Sequence, residues 1–281
     1  NDTMALLLTP LLLSLTRSLG LNPVPYLLAL MAAVNTGSLM TPTGNPQNIV
    51  VASLSGISYL GFVSDLWPVA LLGLGLQVVL LALLYPEVRS LKPLPPIPPL
   101  RYRLHRPLLA KGLWVAFGLF LAFLLGYPMA QGALVAAGIL LFTRRLRSER
   151  YFLRVDWELL VMFAALFMVT EGVRRLGLAE FLVPLATTPL GLLLAATLLS
   201  LLISNVPAVL LLAPLVQEPR DWLLLAGGST LAGNLTLLAS VANLIVAEGA
   251  GREGVGIGFM EHLRLGLPLT LLTLGLLYAL L

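Results

Sequence analysis

The sequence contains no cysteine. That absence excludes disulfides, thiolate metal sites, iron–sulfur clusters and a cysteine nucleophile. Charge is nearly as scarce: Asp, Glu, Lys and Arg make up 11% of the 281 residues, against 58% apolar residues, whereas a soluble domain carries about a quarter charged. Such a chain cannot clothe a water-facing surface, and its mean hydropathy of +0.96 agrees. Histidine is limited to His105 and His262. Both fall in expected loops and read as solvated side chains rather than as a metal pair. The net charge of +4 does not indicate a nucleic-acid partner, because the basic residues gather between hydrophobic stretches.

Those stretches approach or exceed the ~20 residues of a membrane-spanning helix, so the expected fold class is an all-α polytopic membrane protein. The first apolar element runs from Val24 to Ser58 and the next from Trp67 to Tyr85. A Pro-rich basic segment, Arg89 to Lys111, follows. Gly112–Gly126 and Pro128–Phe142 form two shorter spans turning at Gly126-Tyr127-Pro128. A second basic loop holds Arg144, Arg145, Arg147, Arg150 and Arg154. Beyond it come Trp157–Gly172, a long stretch Leu190–Val216, and the final spans Trp222–Ala247 and Leu263–Leu281. If Leu190–Val216 is a re-entrant hairpin turning at Ser204-Asn205-Val206-Pro207, fourteen basic residues lie on one side and only Arg174, Arg175 and Arg220 on the other. That asymmetry satisfies the positive-inside rule; a full crossing would not. An integral protein of a bacterial inner (plasma) membrane, with cytoplasmic basic loops, is the expectation.

Three blocks of sequence recur in order. Asn1 to Leu11 aligns without gaps on Asn205 to Leu215, with six identities in eleven positions. Gly37 to Ser53 aligns on Ala232 to Glu248, sharing Thr41/Thr236, Asn48/Asn243, Val51/Val246 and Ala52/Ala247. Trp67 to Gln77 aligns on Leu267 to Leu277, again with six in eleven. The two copies have opposite expected topology, and inverted repeats with interrupted segments are the signature of a secondary transporter. Residues 1–85 are therefore expected to be the C-terminal part of a first repeat: half a hairpin, a broken helix and a closing helix. Residues 86–111 would be a cytoplasmic linker. Residues 112–281 would hold the second repeat, with scaffold helices, a hairpin at about 190–216, a broken helix at 222–247 and a closing helix at 263–281. With a repeat offset near ~200 residues, roughly ~100 residues of the first copy would precede Asn1.

The interruptions carry the chemistry. Asn35-Thr36-Gly37-Ser38 and Thr41-Pro42-Thr43-Gly44-Asn45-Pro46-Gln47-Asn48 lie in the middle of a span, where two prolines and two glycines cannot continue a helix. In lipid, broken backbone is tolerated only against protein or a water-filled cavity. Freed carbonyls and Thr, Ser and Asn oxygens are ligands for a hard cation, and half-helix N-termini favour an anion. The counterpart runs from Gly227-Gly228-Ser229-Thr230 through Gly233-Asn234 to Asn243. Small-residue helix packing is the competing explanation, and it is preferred for Ser240.

The tips NDTMALLLTP and SNVPAVLLLAP, the break TPTGNPQN and the tail NLIVAEGAGREGVGIGFMEHLRLGLPLTLL resemble the ion-transporter superfamily. The similarity is strongest to its arsenite-permease/NhaD-type antiporter branch, with citrate transporters and divalent-anion:sodium symporters as relatives. The resemblance implies a transport domain of two hairpins and two broken helices, each tip forming an ion site with its neighbouring break. By position it implies Asn1, Asp2 and Thr3 with Gly37, Ser38, Thr41, Thr43, Gly44, Asn45 and Asn48, and a Na⁺ site at Asn1, Asp2, Thr41 and Asn45. The second set is Ser204 and Asn205 with Gly233, Asn234, Thr236 and Asn243. The sequence departs from the symporters' Ser-Asn-Thr tips through Asp2 and through Val206-Pro207, which shifts weight to the first site. Homodimerisation is a further implication.

Asp2 is the one well-centred acid. An ionised carboxylate at mid-membrane costs about 2.5–3.5 kcal/mol unless paired, which points to a coupling Na⁺ or H⁺; no other cofactor is expected. Asp156, Glu158, Glu171, Glu248 and Glu261 lie near span ends and read as interfacial. An intramembrane aspartyl protease needs two facing carboxylates and finds one. No Arg or Lys falls inside a break, so a fully charged oxyanion lacks a basic partner. The expected function is secondary active, ion-coupled transport of a small inorganic or organic anion or metalloid acid, arsenite-type efflux foremost. Na⁺/H⁺ antiport is the alternative within that class, and an ion channel the alternative outside it.

Overall fold

The computed structural model describes residues 1–89, 106–142, 157–177, 184 and 186–281. His105, Asp156, most of the first basic loop and all five arginines of the second lie outside the described residues. Among the described residues there are twelve α-helices, three short 3-10 helices and no strand. The chain is an all-α polytopic membrane protein. The helices are α1 (Asp2–Ser18), α2 (Val24–Ser38), α3 (Pro46–Ser55), α4 (Tyr59–Leu84), α5 (Arg106–Leu124), α6 (Met129–Leu141), α7 (Trp157–Arg175), α8 (Pro189–Ile203), α9 (Asn205–Leu212), α10 (Pro219–Ala232), α11 (Val241–Arg252) and α12 (Phe259–Leu280). Among the described residues α4, α5 and α12 are long and apolar enough to cross a membrane.

Local chemistry sets the interruptions. The stretch expected as one broken span is two helices, α2 and α3, separated by residues 39–45. Asn45 is extended at φ −154° and caps α3, its Oδ1 accepting from the Asn48 N–H at 2.8 Å, with Pro46 in the first turn. An extended cap with proline behind it is a helix start, so α2 cannot run on into α3. The second break spans residues 233–240, between α10 and α11. Leu190–Val216 is also interrupted: α8 ends at Ser204, which at φ 78° has the only positive φ of a non-glycine among the described residues. Helices α8 and α9 on either side of it pack against one another. Pro189 in the first turn and Thr188, whose Oγ1 accepts from the Gly191 N–H at 3.0 Å, start α8.

Several helices begin earlier than hydropathy indicates: α4 at Tyr59 instead of Trp67, α5 at Arg106 instead of Gly112, α12 at Phe259 instead of Leu263. Hydropathy registers the apolar crossing, whereas hydrogen bonding carries the helix on into its polar ends. The loop reading of His262 is thereby corrected. His262 is 4% exposed inside α12, and its spacing from Gly266, Leu269 and Thr273 is that of one helical face.

The described residues form two compact units. The smaller comprises residues 58–60 and 98–166. In it α5 and α6 turn at Gly126 (φ +83°), the turn expected at Gly126-Tyr127-Pro128. Lys111 Nζ donates to the Leu140 and Phe142 carbonyls at 3.3 and 3.0 Å, and Tyr59 stacks on Phe123 at 5.6 Å. The larger unit comprises residues 1–57, 61–97 and 167–281 and joins segments from both of the matching sequence copies. Its centre is α10, buried without interruption from Trp222 to Ala232 and packed against α8, α3, α9 and α12. A second cluster joins Ala5 and Leu13 of α1, Leu27, Leu28 and Met31 of α2, Val246 and Ala250 of α11 and Leu265 of α12.

Lipid tails are as apolar as leucine, so burying these residues gains little hydrophobic energy, and close backbone approach has to hold the helices together. Glycine provides it. A Cβ on Gly227 would lie 2.3 Å from a methyl of Leu277. On Gly266 it would lie 2.2 Å from the Asn234 carbonyl oxygen, and on Gly44 1.9 Å from the Ser38 carbonyl oxygen. Gly44→Ala and Gly266→Ala are each expected to destabilise the protein by at least about 1–3 kcal/mol. The check is a thermal unfolding midpoint in detergent, with Gly75→Ala as the control that does not lower it, because a Cβ there meets nothing within 4 Å.

Candidate functional site

The two breaks are closed in the same way. Asn48, fully buried in α3, donates its amide protons to the carbonyls of Ser38 and Thr41, both at 3.1 Å, ten and seven residues earlier. Asn243, fully buried in α11, donates to the carbonyls of Gly233 and Thr236 at 2.8 and 3.1 Å, again ten and seven residues earlier. Each break is thus tied off by an asparagine just beyond it, which satisfies carbonyls that a continuous helix would have used. These residues correspond in the sequence alignment: Asn48 with Asn243, Thr41 with Thr236, Ser38 with Gly233.

The bonds between the copies are reciprocal too. Thr230 of α10 donates its hydroxyl to Asn48 Oδ1 at 3.1 Å, and Asn35 of α2 donates its amide to Asn243 Oδ1 at 3.0 Å. Asn45 donates to Thr230 Oγ1 at 3.1 Å, and Ser240 donates to Asn35 Oδ1 at 2.9 Å. Additional bonds run from Gln47 Nε2 to Thr230 Oγ1 (3.3 Å), from Asn35 Nδ2 to the Gly233 carbonyl (3.2 Å) and from Asn234 Nδ2 to Thr36 Oγ1 (2.9 Å). Asn35, Thr36, Asn45, Gln47, Asn48, Thr230, Asn234, Ser240 and Asn243 are all buried, and among the described residues the buried polar set holds no Lys, Arg, Asp or Glu.

The helix tips meet these breaks unequally. The Asn1 main-chain nitrogen donates to the Gly44 carbonyl at 2.7 Å, and Asn1 Oδ1 caps α1 by accepting from the Asp2 N–H at 2.9 Å. Asp2 lies in the first turn of α1 with Oδ1 buried and without a protein donor. Thr3 and Thr43 are exposed. At the other tip Ser204 is exposed, whereas Asn205 is buried and its Oδ1 has no protein donor. Asn234 Oδ1 is likewise buried and unpartnered. Gly37 keeps open space around its Cα. Ser38 donates to the Asn35 carbonyl at 2.8 Å and accepts from Asn45 Nδ2 at 2.9 Å.

The structure therefore brings together Asn1, Asp2, Ser38, Gly44, Asn45 and Asn48 around the first break and Gly233, Asn234, Thr236 and Asn243 around the second. Thr3, Thr43 and Ser204 are solvent-accessible. Asn35, Thr36, Gln47 and Thr230, which the sequence places in the polar interruptions but not among the ligands, stand at the centre, and Ser240, read as a packing residue, is hydrogen-bonded there. Their signal was present as polar residues inside apolar half-helices, but not their partners. At the first tip the one oxygen shown buried without a protein donor is Asp2 Oδ1, while the Thr41 and Gly44 carbonyls already accept from Asn48 Nδ2 and the Asn1 nitrogen. Asn45 Oδ1 already accepts the α3 capping bond, and both Asn45 amide protons are engaged. The interfacial acids pair at the surface: Glu171 accepts from Arg175 at 2.8 Å and Glu248 from Arg252 at 2.6 Å.

A family model described as citrate transporter (CitMHS) matches residues 1–221. The chain belongs to the citrate transporter family. Proteins similar to the chain include the silicon efflux transporter LSI3 of Oryza sativa subsp. japonica, 30% identical over 352 aligned residues, covering 96% of the chain and 73% of the relative. The inner membrane protein YbiR of Escherichia coli K12 is 34% identical over 253 residues, covering 87% and 63%. The putative transporter arsB of Dictyostelium discoideum is 26% identical over 405 residues, covering 98% and 71%. These relatives agree with the resemblance to the ion-transporter superfamily, and the chain is an integral membrane protein of a transporter family.

Asn45 is the residue on which the first break turns. Asn45→Ala removes the α3 cap and two buried side-chain bonds. The cap alone is worth about 0.5–2 kcal/mol, so a clear drop in the unfolding midpoint in detergent is expected. Asn45→Ser, which can still cap, should recover part of it.

Proposed function

We propose that this chain is the greater part of a secondary active, ion-coupled carrier that moves a small neutral or weakly charged metalloid acid, with arsenite-type efflux as the leading case. Its two sequence copies are inverted-topology repeats, and the two breaks with their adjoining tips form the transport site. The observation that carries this reading is the buried polar centre itself. It is made of amides and hydroxyls and has no Lys or Arg among the described residues, and acceptor oxygens on the adjoining tips and the second break, at Asp2, Asn205 and Asn234, have no protein donor. An undissociated acid of the M(OH)n kind brings hydroxyl donors to such acceptors and needs no counter-ion. A fully ionised tricarboxylate would find no Lys or Arg there to offset its desolvation. The names of the rice and Dictyostelium relatives, silicon efflux and arsB, support the same substrate class.

Asp2 carries the coupling ion in this proposal, either Na⁺ held by oxygen ligands or H⁺. Na⁺/H⁺ exchange uses the same carboxylate and is the second reading. The deciding experiment is counterflow with the full-length protein in liposomes, run with arsenite, silicate, citrate, Na⁺ and a pH gradient. Saturable counterflow of arsenite or silicate is the expected result. Flux without counterflow would mean a channel, and Na⁺ flux driven only by a pH gradient would mean antiport.

Asp2→Asn in the full-length protein is expected to abolish the Na⁺ or pH dependence of flux while leaving insertion and the unfolding midpoint close to those of the parent. Glu248→Gln, which removes only an exposed surface pair of small energetic weight, should leave flux unchanged. Coupled transport surviving in Asp2→Asn would reduce Asp2 to a favourable charge in the first turn of α1.

A further inference from the structure

The reciprocal bonds assign a role that the list of candidate ligands did not contain. Asn48 and Asn243 were natural candidates for ligands, yet each has both amide protons on carbonyls of its own break and its oxygen on a donor from the other copy. Neither has a proton left for a substrate, and both are fully buried. Their donors, Asn35 and Thr230, sit on the first half-helix of the opposite copy, 208 and 182 residues away in sequence. Each of these donors is in turn gripped by the residue at the start of the second half-helix it braces: Thr230 by Asn45, Asn35 by Ser240.

We propose that Asn35 and Thr230 are positioning residues that brace each helix break against the first half-helix of the other copy, so that the two breaks behave as one rigid element. The physical reason is the burial of these side chains away from bulk solvent. In such a site a hydrogen bond has no solvent replacement, and a group deprived of its partner bears the full desolvation cost. Removing Thr230's hydroxyl leaves Asn48 Oδ1 without that donor and Asn45 and Gln47 without an acceptor. All three lie on the first break, although position 230 belongs to the second copy. Removing the Asn35 amide deprives Asn243 Oδ1 and the Gly233 carbonyl in the same crossed sense. A residue that merely packed α10 would loosen α10 and nothing beyond it.

Amide hydrogen exchange, followed by mass spectrometry on the full-length protein in nanodiscs, reads this directly and needs no substrate. Its outcome is therefore independent of whether the breaks form the transport site. Thr230→Val, similar in shape but without the hydroxyl, is expected to speed exchange in peptides covering residues 38–48 at least about tenfold. Asn35→Leu should do the same for residues 233–243. Thr230→Ser, which restores the hydroxyl, should return residues 38–48 to parental protection, a rescue that side-chain volume alone would not give. Should either full substitution prevent folding, Ser240→Ala severs a single brace and is expected to raise exchange across residues 35–41 by a smaller factor. Acceleration confined to the substituted helix, or protection of residues 38–48 that Thr230→Ser fails to restore, would overturn the proposal.

Discussion

A helix broken inside a membrane must dispose of the carbonyls and amides it exposes, and the structure of the larger unit follows from how this chain meets that demand. Water is not at hand, and each unpaired backbone group would cost several kcal/mol. Asparagine suits the task because one planar group supplies two donors and an acceptor on a short stem. Asn48 and Asn243 spend the donors on two carbonyls of their own break and offer the acceptor outward. A serine has one donor and could tie off only one carbonyl. Once each break presents an acceptor, the other copy must present a donor, and Thr230 and Asn35 are where they are for that reason.

Burial and neutrality then go together. The polar centre lies along α10, whose residues from Trp222 to Ala232 are all buried, and Gly227 and Gly228 let α12 and α8 approach it closely. In such a setting a lysine or arginine would need its own counter-charge. The scarcity of charge noted in the composition is thus a condition of the architecture as well as a mark of the membrane. The acceptors without protein donors at Asp2, Asn205 and Asn234 lie at the tips and at one break rather than on Asn35 and Thr230.

The sequence made the breaks and the hairpin turn legible because their determinants are local: proline, glycine and the length of an apolar arm. Ser204 at the turn and Asn45 at the start of α3 could be located from neighbours within a few residues. The direction in which an amide points is not local. Asn48 and Asn243 could be recognised as important but not as closers of the breaks, since nothing in TPTGNPQN states that Nδ2 of the last residue folds back on Ser38 and Thr41. Asn35 and Thr230 were harder still, being polar residues in otherwise ordinary half-helices whose partners lie in the other copy. A lone serine near glycines usually packs, whereas Ser240 hydrogen-bonds Asn35 across the copies. His262 was misplaced because hydropathy finds the edge of the apolar crossing, whereas helical periodicity, carried past that edge, would have put it on the buried face of α12.

The glycine contacts bear on which substitutions a second substitution can repair. At Gly227 the obstructing atoms belong to the Leu277 side chain, so a bulkier residue there could be accommodated by shortening residue 277. At Gly44 and Gly266 the nearest obstruction is a main-chain carbonyl oxygen, of Ser38 and of Asn234 respectively. Every one of the twenty amino acids carries that oxygen, so no exchange of side chain at position 38 or 234 removes it. A mutational path leading away from glycine at these two positions has no compensating single step, and relief would require the course of the backbone itself to change.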